Sequence, residues 1–187
     1  DVDDAVDVVE DLEESDQEVF LDNIPEIERK LIKEGLTYPE DSAGRMMQRE
    51  YVSMDFSWNV GEAIDFLRQN KNELPEDFYE IYLLNNKKKI TGTVPLGRLM
   101  GSKRSILLEK IKNKQTRTIN VFTDQEEVAY QFNKYAMVSA PVVDENNIII
   151  GSITVDDVVD VIEEEREEDI LKLGGVGQAD IYDAVID

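Results

Sequence analysis

The chain's strongest constraint is that it repeats itself. Gly92 of Ile90-Thr91-Gly92-Thr93-Val94-Pro95-Leu96 answers to Gly151 of Ile148-Ile149-Ile150-Gly151-Ser152-Ile153-Thr154-Val155 at a separation of 59, and Ala63 answers to Ala129 at 66. The copies therefore differ by a seven-residue loop. The first copy runs from Met46-Met47 through Tyr51-Val52-Ser53-Met54, a helix carrying Val60, Ala63, Ile64 and Leu67, and then Ile81-Tyr82-Leu83-Leu84. It finishes with Ile90 to Leu96, a strand running into a short helix. The second copy offers Ile111, then Thr118-Ile119-Asn120-Val121, then a helix with Val128, Ala129 and Phe132 on its inner face. Ala140-Pro141-Val142-Val143-Asp144, Ile148 to Val155 and a helix from Asp156 complete it. Thr123 followed by Glu126 has capping-box spacing. Apolar residues alternate between helical and extended periods in the same order twice, which predicts an α+β chain of two βαββα units.

Before the repeat, Val2, Val6 and Val9, then Val19, Leu21, Ile24, Ile27 and Leu31, predict short helices, with Pro25 in a first turn and Gly35 as a stop. Tyr38-Pro39-Glu40-Asp41-Ser42-Ala43-Gly44 reads as a boundary. Asp144 to Asn147 and Lys87-Lys88-Lys89 read as hairpin tips. Trp58 beside Val60 and Phe66, and Met46, Met47 and Met54, read as packing residues.

Charge narrows the function. The 187 residues hold 20 Lys plus Arg and 42 Asp plus Glu, a net charge of −22 that disfavours nucleic acid and anionic membrane and favours cations. Cys and His are absent, which removes disulfides, thiolate metal sites and Ser-His or Cys-His catalysis. No apolar stretch approaches the ~20 residues that span a bilayer, and no secretory leader opens the sequence. Residues 1–28 hold 13 acids and no base, and residues 156–169 hold nine acids against Arg166 alone. Residues 85–118, by contrast, hold ten bases against Glu109. A solvated face is the ordinary meaning of such runs. The helix after Val155, however, puts Asp156, Asp157, Asp160, Glu163, Glu164, Glu167 and Glu168 on one side and Val158, Val159, Val161 and Ile162 on the other. Two such acidic surfaces repel, and a divalent cation relieves the repulsion. Mg2+ suits them because it takes one or two carboxylates and keeps several waters.

Ala140-Pro141-Val142-Val143-Asp144 and Gly151-x-x-Thr154-x-x-Asp157, in register with the first copy, resemble a tandem CBS-domain pair. The flanks Tyr38 to Gly44, Thr123 to Ala129, Thr154 to Val161 and Glu168-Asp169-Ile170-x-Lys172-Leu173-Gly174 extend the resemblance, over nearly the whole chain, to the cytosolic part of MgtE-type magnesium transporters. The division it implies is the end of a helical N domain (1–36), a linker (37–45), CBS 1 (46–105), CBS 2 (106–160), a connecting helix (157–173) and a tail (174–187) toward a membrane domain outside this chain. It implies a soluble, non-enzymatic Mg2+-sensing fragment at the cytoplasmic face of the membrane, homodimeric through its CBS domains, with its own transmembrane domain as partner. The sensing residues carried over by resemblance are Asp3 and Asp7, Asp124 and Glu126, and Asp157, Asp160, Glu165, Glu168 and Asp169. Asp3 with Asp7, and Glu165 with Asp169, are spaced i, i+4. The chain departs from the family pattern at Ala136, where an acid is expected, and Gly44 is a candidate carbonyl ligand.

Adenine nucleotide, ATP or AMP, is the competing ligand. CBS pairs use the Thr and Asp of T-x-x-D for phosphate and ribose. Thr154 and Asp157 match in the second copy, whereas the first has Pro95 and Arg98, so that Arg98 is left to meet a phosphate. No Gly-x-x-x-x-Gly-Lys loop is present.

Overall fold

The computed structural model describes residues 5–6, 8–9, 12–75 and 78–174. Residues 5–6 and 8–9 are helical, and two further helices, α1 (Glu14–Asp22) and α2 (Glu26–Gly35), precede the short α3 (Ala43–Met46). The first unit is β1 (Ser53–Asp55), α4 (Val60–Gln69), β2 (Glu80–Leu84), β3 (Ile90–Pro95) and α5 (Leu96–Gly101). After α6 (Leu108–Ile111), the second repeats it as β4 (Ile119–Asn120), α7 (Gln125–Tyr135), β5 (Ser139–Val143), β6 (Ile149–Thr154) and α8 (Val155–Gly174). Both units are βαββα, as the repeat predicts. No helix among the described residues is long and apolar enough to cross a membrane.

Each unit holds a three-stranded sheet, ordered β1-β2-β3 and β4-β5-β6, with the first pair parallel and the second antiparallel. The parallel pair needs a crossover, which α4 and α7 supply. The antiparallel pair is closed by a tight tip. Asn85 Oδ1 accepts from the Lys87 and Lys89 amides in the first tip, and Asp144 Oδ1 from those of Asn146 and Ile148 in the second. Lys88 and Asn147 take the left-handed position, with φ of 57° and 60°.

Pro141 sits in the central strand β5, where a proline is normally excluded. Its antiparallel partner Ser152 donates its N–H to Gln48 O (2.9 Å) and accepts from Gln48 N (2.8 Å), so Pro141 and Ser152 form a non-hydrogen-bonded pair. The missing donor faces the β4 side, where pairing begins only at Val142.

The lead-in segments are exchanged between units. Ala43 and Met47, 0 % and 2 % exposed, pack with Ile119, Val121, Val128, Phe132 and Ile153 in the second core. Leu108 is fully buried with Val60, Ile81, Leu83, Val94 and Leu99 in the first, and Ile106 and Ile111 pack against that cluster. Met46 and Met47, read from the repeat as opening the first copy, thus belong to the second core, and Ile111 belongs to the first. A cut at 105/106 separates Ile106, Leu108 and Ile111 from the strands they cover. The predicted Thr123–Glu126 capping box is also replaced. Asp124 is the N-cap of α7, and its Oδ1 accepts from Glu126 N at 2.9 Å. A reciprocal box forms instead at α4 between Asn59 and Glu62, at 3.0 and 2.7 Å.

The N-terminal helices form a third, smaller cluster of Val6, Val9, Leu21 and Ile32. Arg49 ties it to the second unit. Its side chain, 8 % exposed, lies 3.5 Å from Glu34 Oε1 and 3.5 Å from Ile150 O, with the guanidinium 5.5 Å from the centre of the Tyr38 ring.

Candidate functional site

The acidic residues separate into three kinds. Asp3 and Asp7 lie outside the described residues. Glu165, Glu168 and Asp169 fall on α8, whose backbone is described there although their side chains are not. Of the rest, Asp124, Glu126 and Asp160 are exposed, as are Asp156 and Glu163. Asp157 is half-buried and engaged. Its Oδ2 accepts from Thr154 N (2.8 Å) and Thr154 Oγ1 (2.9 Å), and its Oδ1 accepts from Gln48 Nε2 (3.3 Å). Asp157 therefore closes the start of α8 and ties it to the segment exchanged from before β1. Burial pushes its pKa up, opposed by the Thr154 hydrogen bonds.

The expected two-sided division of α8 is also modified. Val158 and Val161 are buried against α7, but Val159 is 45 % exposed and Asp157 turns inward. The helix packs on one narrow stripe, because α7 covers only part of its circumference. Among the described residues no three acidic side chains come together closely enough to hold a metal ion. What the described part offers is single exposed carboxylates, a donor set that fits a hydrated Mg2+ shared between surfaces rather than an enclosed cage.

Ala136 is the left-handed C-cap of α7, at φ 49° and ψ 48°, with its N–H directed to Asn133 and Phe132 carbonyls. Asp tolerates this conformation better than Ala. Replacing Ala136 with Gly should raise stability by about 1 kcal/mol, read as an upward shift of the urea midpoint at constant slope. Gly44 is buried under Tyr38, and its N–H donates to Val121 O at 2.9 Å.

The two units face each other across a pair of related clefts. On one side Gln48 and Tyr51 meet Ser152 and Thr154, and the space is only about 10 Å3. Here the single hydroxyl hydrogen of Thr154, 6 % exposed, is shared between Asp156 Oδ1 at 2.5 Å and Asp157 Oδ2 at 2.9 Å. The T-x-x-D pair is thus satisfied by its own neighbours in a closed cleft. On the other side Asn113 takes the place of Gln48, its N–H donating to Thr93 O (2.8 Å) as that of Gln48 does to Ser152 O (2.8 Å). This cleft is open, about 190 Å3, and is lined among others by Glu80, Asn113, Arg117, Tyr135 and Met137. Arg98 stands on α5 beside it and donates to Ile111 O at 2.9 Å.

Glu80 is the residue that sequence reasoning missed. Its Oε1 accepts from Asn113 Nδ2 (2.9 Å) and Thr93 Oγ1 (3.4 Å), and its Oε2 from Ser139 Oγ (3.4 Å) across the junction of the units. Burial pushes its pKa up, opposed by these donors and by the charge of Arg98. The available signal was a carboxylate opening a central strand where the other copy has Ser139.

Family models match in two places, the MgtE intracellular N domain over residues 1–41 and the CBS domain over residues 108–164. A magnesium transporter MgtE of Thermus thermophilus is 38 % identical over 144 residues, covering 77 % of this chain and 32 % of its own length. One of Bacillus subtilis is 31 % identical over 163 residues, covering 87 % and 36 %. The chain thus spans about a third of the length of these relatives. Among solved structures, the cytosolic domain of the Mg2+ channel MgtE in complex with ATP superposes with a TM-score of 0.80 at 31 % identity, over 86 % of this chain and 65 % of that one. The CBS-pair domain of a Mg2+ transporter homologue from Shewanella oneidensis, at 18 % identity and a TM-score of 0.69 over 88 % of this chain and 95 % of that one, shares the fold.

Proposed function

Because the chain belongs to the cytosolic region of the MgtE-type magnesium transporters, with their N-domain end and CBS pair, we propose that it is a Mg2+-responsive regulatory module at the cytoplasmic face of the membrane. It acts as a sensor and performs no chemistry. The observation that carries this reading is α8, which leaves β6 directly and exposes Asp156, Asp160 and Glu163. Like charges on a helix already repel by a few tenths of a kcal/mol per i, i+4 pair, and more where a second acidic surface excludes water. With Mg2+ scarce, the carboxylates of the N-terminal segment, of Asp124 and Glu126, and of α8 hold their elements apart. With Mg2+ abundant, the same carboxylates, Asp3, Asp7, Asp160, Glu165, Glu168 and Asp169 among them, share hydrated ions and draw together. Asp157 contributes only where Gln48 and Thr154 release it. Shifting such an equilibrium from 1:99 to 99:1 takes ~5.5 kcal/mol of differential binding, which several weak sites supply jointly. In a CBS-mediated homodimer the compact state holds the connecting helices, and with them the pore of the whole transporter, in the closed arrangement.

Small-angle scattering during a MgCl2 titration, with ionic strength held constant by KCl, tests this. The expected result is a fall in radius of gyration at millimolar Mg2+ that KCl does not reproduce, weakened by Asp160→Asn. An unchanged radius rules out compaction.

A second reading, adenine-nucleotide binding, is favoured by the open 190 Å3 cleft and by the ATP complex of the similar cytosolic domain. It moves from the Thr154 side, which is filled, to the side where Arg98 stands. Asp160→Asn leaves nucleotide binding intact on this reading.

A further inference from the structure

We propose that the open cleft takes a guanine nucleotide in preference to an adenine nucleotide, with Glu80 as the residue that reads the base. The proposal rests on the reading of this cleft as a nucleotide site and departs from it in the base, guanine in place of adenine.

The cleft is about 190 Å3, smaller than the ~300 Å3 at which pockets enclose a whole drug-sized ligand, so it has room for a base with sugar and phosphates outside. Its walls offer Met137 and the Tyr135 ring, over which the Arg117 guanidinium lies at 3.3 Å from the centroid. Arg117 and Arg98 make the surroundings cationic, which suits a ligand with an anionic end. The distinguishing group is the Glu80 carboxylate. An ionised carboxylate only accepts hydrogen bonds and has about four lone-pair positions. At Glu80 one short bond, from Asn113, is joined by two long ones from Thr93 and Ser139, whose hydroxyls rotate. One position on Oε2 therefore stays open and rotation of the Thr93 hydroxyl opens one on Oε1, on a residue that lines the open cleft as well as the closed one.

The edge of a base that pairs in a duplex is also the edge proteins read in an extruded base. Guanine presents two adjacent donors there, N1–H and the N2 amino group, and both match a carboxylate. Adenine presents one donor, N6, beside the N1 lone pair, which opposes a carboxylate oxygen. A site that leaves a buried acceptor facing a lone pair discriminates strongly. Exchange of the carboxylate for an amide reverses the match, because a Gln offers one acceptor and one donor and pairs with the adenine edge.

Isothermal titration of this chain with GDP, IDP and ADP at one fixed Mg2+ concentration provides the test. IDP keeps N1–H and lacks the 2-amino group. The expected order for the wild type is GDP, then IDP, then ADP, with GDP at least tenfold tighter than ADP. Glu80→Gln should bring the GDP-to-ADP ratio to one or below while the nucleotide still binds. ADP binding as tightly as GDP to the wild type overturns the guanine assignment and leaves the nucleotide reading standing. Absence of binding by all three overturns both. The wild-type comparison needs no variant, so instability of a Glu80 variant does not blunt it.

Discussion

Replacing Leu108 with Ala should destabilise the first unit by about 2–5 kcal/mol, although Leu108 follows the whole of that unit in the chain. The side chain is fully buried among Val60, Ile81, Leu83, Val94 and Leu99, and its removal leaves a cavity that the strands cannot collapse into. Hydrogen exchange gives the expected location, with protection lost first in β1, β2 and β3. Met47→Ala is the mirror experiment. Met47 precedes β1, yet its loss should expose β4, β5 and β6, because it packs with Ile119, Val121 and Ile153. If each variant instead loosened the unit next to it in sequence, the exchange of lead-in segments would be wrong. The exchange also predicts that neither unit is stable when the chain is cut between them, since each part then lacks a segment of its own core.

The equivalent glycines of the two units should respond unequally. A Cβ at Gly151 would stand 2.7 Å from Gln48 O and 2.7 Å from Met47 Sδ. The first of these is backbone, held by the paired Gln48–Ser152 hydrogen bonds, and cannot move without breaking them. Gly151→Ala should therefore cost about 1–3 kcal/mol, and Gly151→Val more. At Gly92 the nearest atom is Lys112 Cδ, at 2.6 Å. That atom belongs to a side chain rather than to backbone. Although Lys112 Nζ donates to Thr91 O at 2.9 Å, the side chain can shift by giving up that one bond, while the loss of unfolded-state freedom on replacing glycine offsets about 0.4–1 kcal/mol. Gly92→Ala should stay within about 1 kcal/mol of the wild type. Urea unfolding of the two variants side by side measures the difference, and equal losses would remove the close backbone approach as its cause.

The repeat was legible because βαββα units alternate two short-range periods, and a period survives in sequence without any knowledge of tertiary contacts. The hairpin tips were legible for the same reason, since Asn85 and Asp144 bond to amides two and four residues on. The N-cap of α7 falls one residue after Thr123 because Thr123 and Asp124 are both good caps, and only the path of the chain into α7 chooses Asp124. The candidate site was less legible. Carboxylates advertise themselves as charge, so Asp124, Asp157 and Asp160 stand out in the sequence, but their engagement does not. Whether Asp157 is available depends on Gln48, which is 109 residues distant in the chain.

The two βαββα units, the acidic ends and the lack of Cys and His are all readable along the chain, because composition and short periods need no knowledge of what lies beside what in space. Which lead covers which core, which of the two clefts is open, and that Glu80 lines it emerge only from the folded arrangement. Those outcomes depend on contacts between residues far apart along the chain, such as Ser139 with Glu80 and Gln48 with Ser152, and no local pattern encodes them.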